Sequence, residues 1–337
     1  MTFKIFGPNH RRSAKREAAR QDGRLFPIER RGVLGGLSAM AGATLLGVRS
    51  AGAAIRGRVR PGMADWPSDS DWAGLRRDLE NRLEPVRLPS PSPADLPRLL
   101  GNPYYLGDQP GLTQSSGWVD AWKSAPSAYV VKAKSAPDVA KAVRFASAHR
   151  LRLVVKGGGH SYFGGSNAPD SLLVWTRSMD AIELHDRFVP AGCSTAPVSA
   201  VSVGAGCLWG HVYDAVTTRA GRYVQGGGCA TVGVAGLIQG GGFGNFSKAY
   251  GLAGAGLLEA EIVTADGQTR IVNASRDPDL FWALKGGGGG TFGVVTRLTL
   301  RTHDLPETVG AFRWTLKAKS DDAFRRLLTR FLEEYST

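Results

Sequence analysis

Apolar and polar positions follow a clear period from residue 129 onward. Tyr129 to Ala133 alternates as a half-buried strand does, and Leu151 to Val155 is a second short apolar run. Between them Ser135 can cap a helix, with Asp138 three residues later, and the apolar residues that follow recur at helical spacing: Val139, Val143 and Ala146. The pattern predicts a strand–helix–strand unit that ends at Gly157.

More strands and helices are predicted after this unit. The strands are 172–176, 182–185, a run ending at Val203, 222–225, 257–265, 268–272 and 294–301, and the helices are 208–220 and 278–285. Asp266-Gly267 lies between two of these strands and is a strong signal for a tight hairpin turn. Phe281 and Trp282, in the second helix, are expected to be core residues.

The two flanks of this region differ from it. Residues 54–118 are rich in Pro, Ser and Trp, and only a short helix at Trp72 to Leu83 is predicted there. Residues 309–316 favour a strand, and Ser320 can cap an amphipathic helix with one apolar face: Phe324, Leu327, Leu328, Phe331 and Leu332. We therefore expect a second domain to begin near residue 305.

Residues 1–53 have the pattern of an export leader. Paired arginines, Arg30 and Arg31, precede a weakly apolar stretch from Gly32 to Val48, and small residues follow it up to Ala53. This order is typical of a twin-arginine signal, so the twin-arginine translocase is expected as a partner in transit, with cleavage near Ala53 and a periplasmic or secreted product. A membrane anchor is the alternative, but the stretch is shorter than the roughly 20 residues that span a bilayer.

The net charge does not by itself indicate a function. The chain has a net charge of +13, and the leader alone carries ten Lys or Arg against three Asp or Glu, so about half of the excess lies there. No basic stripe with interleaved aromatic residues occurs, which argues against nucleic-acid binding. No Cys or His spacing typical of metal ligands occurs, so no metal is predicted.

Three glycine-rich turns carry the candidate chemistry. They are Lys-Gly-Gly-Gly-His-Ser at 156–161, Gly-Gly-Gly-Cys at 226–229 and Gly-Gly-Gly-Phe-Gly at 240–244. Glycine lets the backbone approach a ligand without a Cβ in the way, and successive bare N–H groups can hold phosphate oxygens. The sequence therefore predicts a nucleotide-like ligand with a pyrophosphate, to which the turns present His160 and Cys229.

A different nucleotide site is also conceivable. Val201 to Gly206 with Gly210 imitates the Rossmann fingerprint, but no acidic residue follows at the end of the next strand. Gly204 and Gly206 are therefore interpreted as turn residues.

The glycine turns, together with Lys-Ala-Tyr-Gly-Leu at 248–252 and the segments 279–290 and 292–296, resemble the berberine-bridge-enzyme-like flavoproteins of the vanillyl-alcohol-oxidase superfamily. The resemblance covers roughly residues 120–303. It implies an α+β fold, with a PCMH-type two-subdomain FAD-binding domain at 119–304 and the start of an α/β substrate domain at 305–337. Family members extend well past this point, so the resemblance implies an incomplete substrate domain.

The resemblance also assigns residues to FAD. His160 corresponds to the histidine joined to the flavin 8α-methyl, and Cys229 to the cysteine joined to flavin C6. The other expected FAD contacts are the glycine-turn residues and their neighbours: Lys156, Gly157, Gly158, Gly159, Ser161, Gly165, Gly227, Gly228, Thr231, Val232, Gly233, Gly236, Gly241, Gly242 and Gly244. The general base of the family comes from the substrate domain, so no catalytic residue is assigned.

The function implied is oxidation of an alcohol or carbohydrate hydroxyl. Val232 matches a small gate residue for oxygen, which favours O2 as acceptor over a dehydrogenase with another acceptor. A non-catalytic FAD-binding remnant is a further alternative. Cys193 and Cys207 have no flavin context, and either a disulfide between them after export or two free thiols would fit the sequence.

Overall fold

The computed structural model describes residues 3–5, 57–115, 122, 125–310 and 312–336. The predicted leader lies outside the described residues except for a three-residue strand, β1 (Phe3–Ile5). Across the described part of the chain, no helix is both long enough and apolar enough to span a bilayer. Export therefore stays a prediction.

Residues 57–115, expected to be mostly irregular, contain several regular elements. These are α1 (Asp69–Asp78), β2 (Leu83–Pro85), α2 (Leu96–Leu100) and α3 (Pro103–Gly107). α1 lies a few residues before the predicted helix 72–83. The reason is local: Ser68 and Asp71 form a capping box at its start, and Glu80 and Asn81 take positive φ values just after its end.

This segment packs into the same folded core as the residues after 125. Trp72 is buried and stacks on Tyr129 with 4.0 Å between ring centroids. β2 pairs antiparallel with β3 (Tyr129–Lys132). The Pro- and Ser-rich composition gave no sign of these contacts because they join residues far apart in the chain.

The first sheet confirms the predicted strand–helix–strand unit. β3 and β4 (Arg152–Lys156) lie parallel on either side of β5 (Ser171–Trp175), and α4 (Ala136–Ala148) connects β3 to β4. Ser135 Oγ accepts a hydrogen bond from the backbone N–H of Asp138 at 3.4 Å, as expected for an N-cap. The apolar face of α4 packs into a core that also contains α1 and β5 residues.

The second sheet is antiparallel. Its strands are β6 (Ile182–Phe188), β7 (Val198–Gly204), β8 (Arg222–Val224), β9 (Leu257–Val263), β10 (Thr269–Asn273) and β11 (Val294–Asp304). β11 pairs with β7, β8 and β9 and so holds the sheet together. The predicted hairpin is confirmed, since β9 and β10 pair around Asp266 and Gly267, and Gly267 has φ +72°.

The helices around the second sheet are short. They are α5 (Trp209–Tyr213), α6 (Val234–Gln239), α7 (Ser247–Tyr250) and α8 (Pro278–Ala283). The predicted helix 208–220 is present, but from Asp214 to Arg219 it continues as a π-helix. Phe281 is buried as expected; the expectation for Trp282 was wrong, because its side chain is 79% exposed.

The C-terminal elements match the expectations for residues 305–337. β12 (Phe312–Trp314) pairs with β1, and α9 (Asp321–Ser336) is a long helix in which Ser320 Oγ accepts from the backbone N–H of Ala323. Helices, a partly parallel sheet, an antiparallel sheet and the small two-stranded sheet of β1 and β12 confirm the α+β class.

Candidate cofactor site

The first glycine turn packs directly on the loop that contains Cys229. A Cβ added to Gly158 would lie 2.7 Å from the backbone N of Gly233 and 2.8 Å from the carbonyl oxygen of Thr231. Only glycine permits backbones this close. The turn after β4 and the loop between β8 and α6 are thereby brought together, although they belong to different sheets.

The second and third glycine turns are also in contact. A Cβ on Gly244 would overlap the carbonyl oxygen of Gly226, and one on Gly227 would lie 2.7 Å from the Leu237 side chain. The backbone N–H of Gly288 donates to the carbonyl of Gln239 at 2.9 Å, which adds the predicted 279–290 motif to the same group of loops. Four of the resembling segments therefore meet in one place.

Some glycines in these loops face open space. A Cβ added to Gly228, Gly236 or Gly289 would have no atom within 4 Å. Glycine at these positions is therefore not required by packing within the chain. Bare backbone beside open space is what a ligand held by backbone groups needs.

His160 lies at the edge of this space. It is half-buried, and its Nε2 is 3.1 Å from Thr231 Oγ1. Burial lowers the pKa of His160 below its usual range, because the charged ring loses hydration. The imidazole is therefore neutral at neutral pH, and a neutral imidazole has a lone pair for bonding.

Cys229 also contacts Thr231. Its thiol is exposed, and its Sγ is 3.6 Å from Thr231 Oγ1. His160 and Cys229 belong to two separate motifs of the sequence. The structure places both of them against one hydroxyl group.

The remaining predicted contacts lie in the same loops. Ser161 Oγ accepts from the backbone N–H of Gly165 at 3.1 Å and so closes the first turn. Gly241 and Gly242 have positive φ values, +87° and +66°. Contact of the predicted set with FAD stays a prediction: Gly157, Gly158, Gly159, Ser161, Gly165, Gly227, Gly228, Thr231, Val232, Gly233, Gly236, Gly241, Gly242 and Gly244.

The surroundings of Lys156 differ from those expected of an FAD contact. The ammonium was expected to neutralise a pyrophosphate, but the side chain is 1% exposed and donates to three carbonyl oxygens, those of Gln109, Pro110 and Leu112, at 2.6, 3.2 and 2.6 Å. These acceptors take up its three N–H groups. Burial lowers the pKa of Lys156 to about 7. Its role is to hold the segment 109–112 beside the first glycine turn.

Gln114 was missed by sequence analysis. Its Nε2 donates to the carbonyls of Gly158 at 2.6 Å and of Thr231 at 3.2 Å, and its backbone N–H donates to Gly159 O at 2.8 Å. It thus ties the first glycine turn to the Cys229 loop. Gln114 stands in the Pro- and Ser-rich segment, where no periodic pattern marks it.

The other cysteines are separate from the site and from each other. Cys193 Sγ is 3.1 Å from Ser275 Oγ, whereas Cys207 is buried and its Sγ lies 3.5 Å from the carbonyl of Ala181. Both are free, which agrees with the second of the two alternatives, two free thiols. Within the described ranges, no group of three or more His, Cys, Asp or Glu could hold a metal ion.

The Rossmann-like glycines have a purely structural place. A Cβ on Gly204 would overlap the carbonyl of Met179, and one on Gly206 would overlap that of Thr176. Both positions are filled by backbone, so they leave no room for a ligand. Gly206 lies in the turn after β7, as interpreted, whereas Gly204 is the last residue of β7.

Comparisons with known proteins identify the domain. Residues 126–273 match the family model described as FAD binding domain. The chain is 36% identical over 293 residues to the FAD-linked oxidoreductase easE of Arthroderma otae, covering 76% of this chain and 47% of that protein. The chain thus spans about half the length of the curated relatives it matches.

Two solved structures show the same relationship. The VAO-type flavoprotein MtVAO615 of Myceliophthora thermophila C1 superposes with a TM-score of 0.67 at 32% identity, covering 74% of this chain and 50% of that one. BBE-like 1 of Physcomitrella patens gives 0.52 at 26% identity, covering 68% and 44%.

The chain therefore contains the FAD binding domain and is similar to FAD-linked oxidoreductases and to VAO-type and BBE-like flavoproteins, as the motifs predicted. FAD is the cofactor that this domain indicates. The local structure fits it, because two nucleophilic side chains and two glycines with open space beside them, Gly228 and Gly289, lie within one group of loops.

Proposed function

We propose that this protein holds FAD covalently through His160 and Cys229 and oxidises an alcohol or carbohydrate hydroxyl, with dioxygen as the electron acceptor. The observation that carries the proposal is the shared contact of His160 and Cys229 with Thr231, beside glycines that face open space. Bound FAD would supply a ring system that accepts a hydride from the substrate and gives two electrons to an acceptor.

The glycine turns supply noncovalent binding. Gly159 and Gly242 have positive φ values, and turns that contain such residues can present backbone N–H groups to an anion. Such groups suit the diphosphate of FAD. Since Lys156 is occupied by carbonyl oxygens, this backbone takes the role first expected of the lysine.

His160 and Cys229 supply the covalent bonds. Each attachment forms one N–C or S–C bond and breaks one N–H or S–H bond and one C–H bond of the flavin. Two protons and two electrons are released each time, and dioxygen is the oxidant that takes them up as hydrogen peroxide. The neutral imidazole of His160 and the exposed thiol of Cys229 are both accessible for this chemistry.

A cofactor that is fixed by covalent bonds does not have to be enclosed by the protein, so the site can stay open to bulky substrates. Affinity for FAD no longer depends on enclosing the ring system, which favours a sugar or another large alcohol. None of the described residues is assigned as the catalytic base. The proposal for the substrate class rests on the family resemblance and on the openness beside Gly228 and Gly236.

Dioxygen as acceptor is supported by Val232, the small residue that follows Thr231 and packs at the edge of the second-sheet core. Turnover of the flavin-loaded protein with a panel of alcohols and sugars tests this. We expect hydrogen peroxide in proportion to substrate consumed without an added dye. Turnover only with a dye would support the dehydrogenase alternative, and loaded protein that oxidises nothing would support the FAD-binding remnant.

The last part of the proposal is that the protein is exported. The paired arginines Arg30 and Arg31 and the small residues before Ala53 support transport of the folded protein by the twin-arginine translocase. This route suits a protein that binds FAD before it leaves the cytoplasm. Fractionation of expressing cells should find a shortened, flavin-containing product outside the cytoplasm, and an Arg30→Lys, Arg31→Lys variant should remain inside at full length.

A further inference from the structure

Thr231 is the residue that joins the two candidate attachment sites. Its Oγ1 is 3.1 Å from His160 Nε2 and 3.6 Å from Cys229 Sγ, and its side chain is almost fully buried, with 2% of the residue exposed. Both neighbours can therefore bond to the same oxygen. Neither His160 nor Cys229 has another side-chain partner among the bonds found in the described residues.

The hydroxyl is held rigidly. The carbonyl of Thr231 accepts from Gln114 Nε2 at 3.2 Å. On either side of it, the carbonyl of Ala230 accepts from Gly210 N at 2.8 Å and that of Val232 from Trp209 N at 3.0 Å. A β-branched side chain on a fixed backbone has few rotamers, so the hydroxyl stays between the ring and the sulfur.

One hydroxyl has only one hydrogen to donate, although it can accept others. If Thr231 donates to His160 Nε2, the ring hydrogen must lie on Nδ1, and neither nitrogen has a free lone pair. If Thr231 donates to the sulfur of Cys229, then Nε2–H donates to Thr231 and Nδ1 keeps its lone pair. Only the second arrangement leaves Nδ1 with its lone pair while the sulfur accepts a hydrogen bond instead of donating one.

We propose that Thr231 is a positioning residue for cofactor attachment: its hydroxyl accepts from Nε2–H of His160 and donates to the sulfur of Cys229, which leaves Nδ1 of His160 with its lone pair. The inference rests on the covalent attachment proposed above. It adds a residue that touches neither new bond but orients both partners.

Three variants of the full chain test the inference. Thr231→Val removes the hydroxyl and keeps the shape, Thr231→Ser keeps the hydroxyl, and Thr302→Val is the matched control, because Thr302 is buried and its hydroxyl has no partner. Each flavin-free protein is mixed with excess FAD, and the flavin that stays with the chain after denaturation is followed over time. Noncovalent FAD affinity and thermal unfolding are measured beside it.

We expect Thr231→Val to slow attachment about fivefold to tenfold, which is the effect of losing one ordinary hydrogen bond. Noncovalent affinity should change far less. Thr231→Ser should attach flavin within about threefold of the wild type, and Thr302→Val at the wild-type rate. Attachment by Thr231→Val at the wild-type rate would overturn the inference while leaving the proposed function intact. A wild type that never retains flavin would overturn both.

A second measurement does not depend on any variant or on FAD. Nitrogen-15 NMR of the histidine rings in the flavin-free wild type shows which nitrogen of His160 carries the hydrogen. We expect the hydrogen on Nε2 at neutral pH. A ring with its hydrogen on Nδ1 would contradict the inference even if Thr231→Val proved unable to fold.

Discussion

Gly158 shows how one residue sets the distance between two parts of the site. A methyl group there would collide with the backbone of Thr231 and Gly233, whereas a methyl group on Gly228 would enter open space. The two glycines are therefore required for different reasons. Position 158 serves the fold, and we propose that position 228 serves the ligand.

Alanine substitution separates these roles. Gly158→Ala should destabilise the protein by about 1–3 kcal/mol, as overpacking does, and should also weaken FAD retention. Gly228→Ala should change the unfolding free energy by less than about 0.5 kcal/mol but still reduce FAD binding, because its methyl group fills cofactor space. Thermal unfolding and flavin content of the purified variants measure both effects. Equal loss of stability in the two variants would refute this distinction.

The protonation of His160 leads to a pH prediction. Burial lowers its pKa, so the ring is neutral at pH values where a free histidine is already partly charged. In a Cys229→Ala background, which leaves only the histidine bond, the attachment rate should stay constant down to about pH 6.5 and fall at lower pH. The same shift makes stability rise with pH between the folded-state pKa and about 6.5, because the unfolded chain binds more protons there. A rate that already falls between pH 8 and 7 would contradict the lowered pKa.

Single residues also mark the limits of sequence reasoning. His160 and Cys229 could be chosen because each stands directly beside a run of glycines. Gln114 could not, since it acts through carbonyl groups 44 and 117 residues further along the chain. Lys156 was misassigned because a lysine next to glycines looks like a phosphate ligand, and only the fold shows that three carbonyls already surround it.

At the scale of elements, α1 is a helix that packs against a strand and a helix about 60 residues further along the chain. Its Trp72 packs between Trp66, Tyr129 and Phe145, with ring centroids 4.0 to 5.6 Å away. Most of its stabilisation therefore comes from residues of β3 and α4 rather than from its own turn structure. The segment 57–115 should unfold together with the FAD-binding domain.

Substitutions in α1 test this coupling. Trp72→Ala should lower the unfolding free energy by about 3–5 kcal/mol, and Ser68→Ala by about 1 kcal/mol through loss of the cap. Arg77→Ala, on the exposed face, is the control and should change it by less than about 0.5 kcal/mol. Denaturant unfolding followed by the change in flavin fluorescence, which occurs when the bound ring system becomes exposed to solvent, reports on the whole domain. An unchanged midpoint of this fluorescence change in Trp72→Ala would show that the segment folds separately.

Elements with strong local signals were predicted well. The cap at Ser135, the apolar spacing of α4 and the Asp266-Gly267 turn each depend on neighbouring residues, and all three are confirmed. β2 was missed because a three-residue strand ending in Pro85 has no visible period. The π-helix after α5 was missed because a change in helical period leaves the apolar pattern almost unaltered.

At the scale of the whole molecule, the folded part has two sheets with largely separate cores, one around β5 and α4 and one around β7, β9 and β11. The cofactor loops lie where turns from both meet, at Gly158, Thr231 and Gly233. Periodicity predicts the sheets, but it does not predict which turns touch. The family resemblance supplied that information, and the contact between Gly158 and Gly233 gives its physical basis.

The measurement that tests the central claim most directly is flavin fluorescence of the purified chain on a denaturing gel. The account predicts that the fluorescence stays with the wild-type band, that His160→Ala and Cys229→Ala each keep one bond, and that the double variant releases all its flavin into acid. Fluorescence that remains on the double variant, or a wild type that carries none after expression with abundant riboflavin, would contradict it.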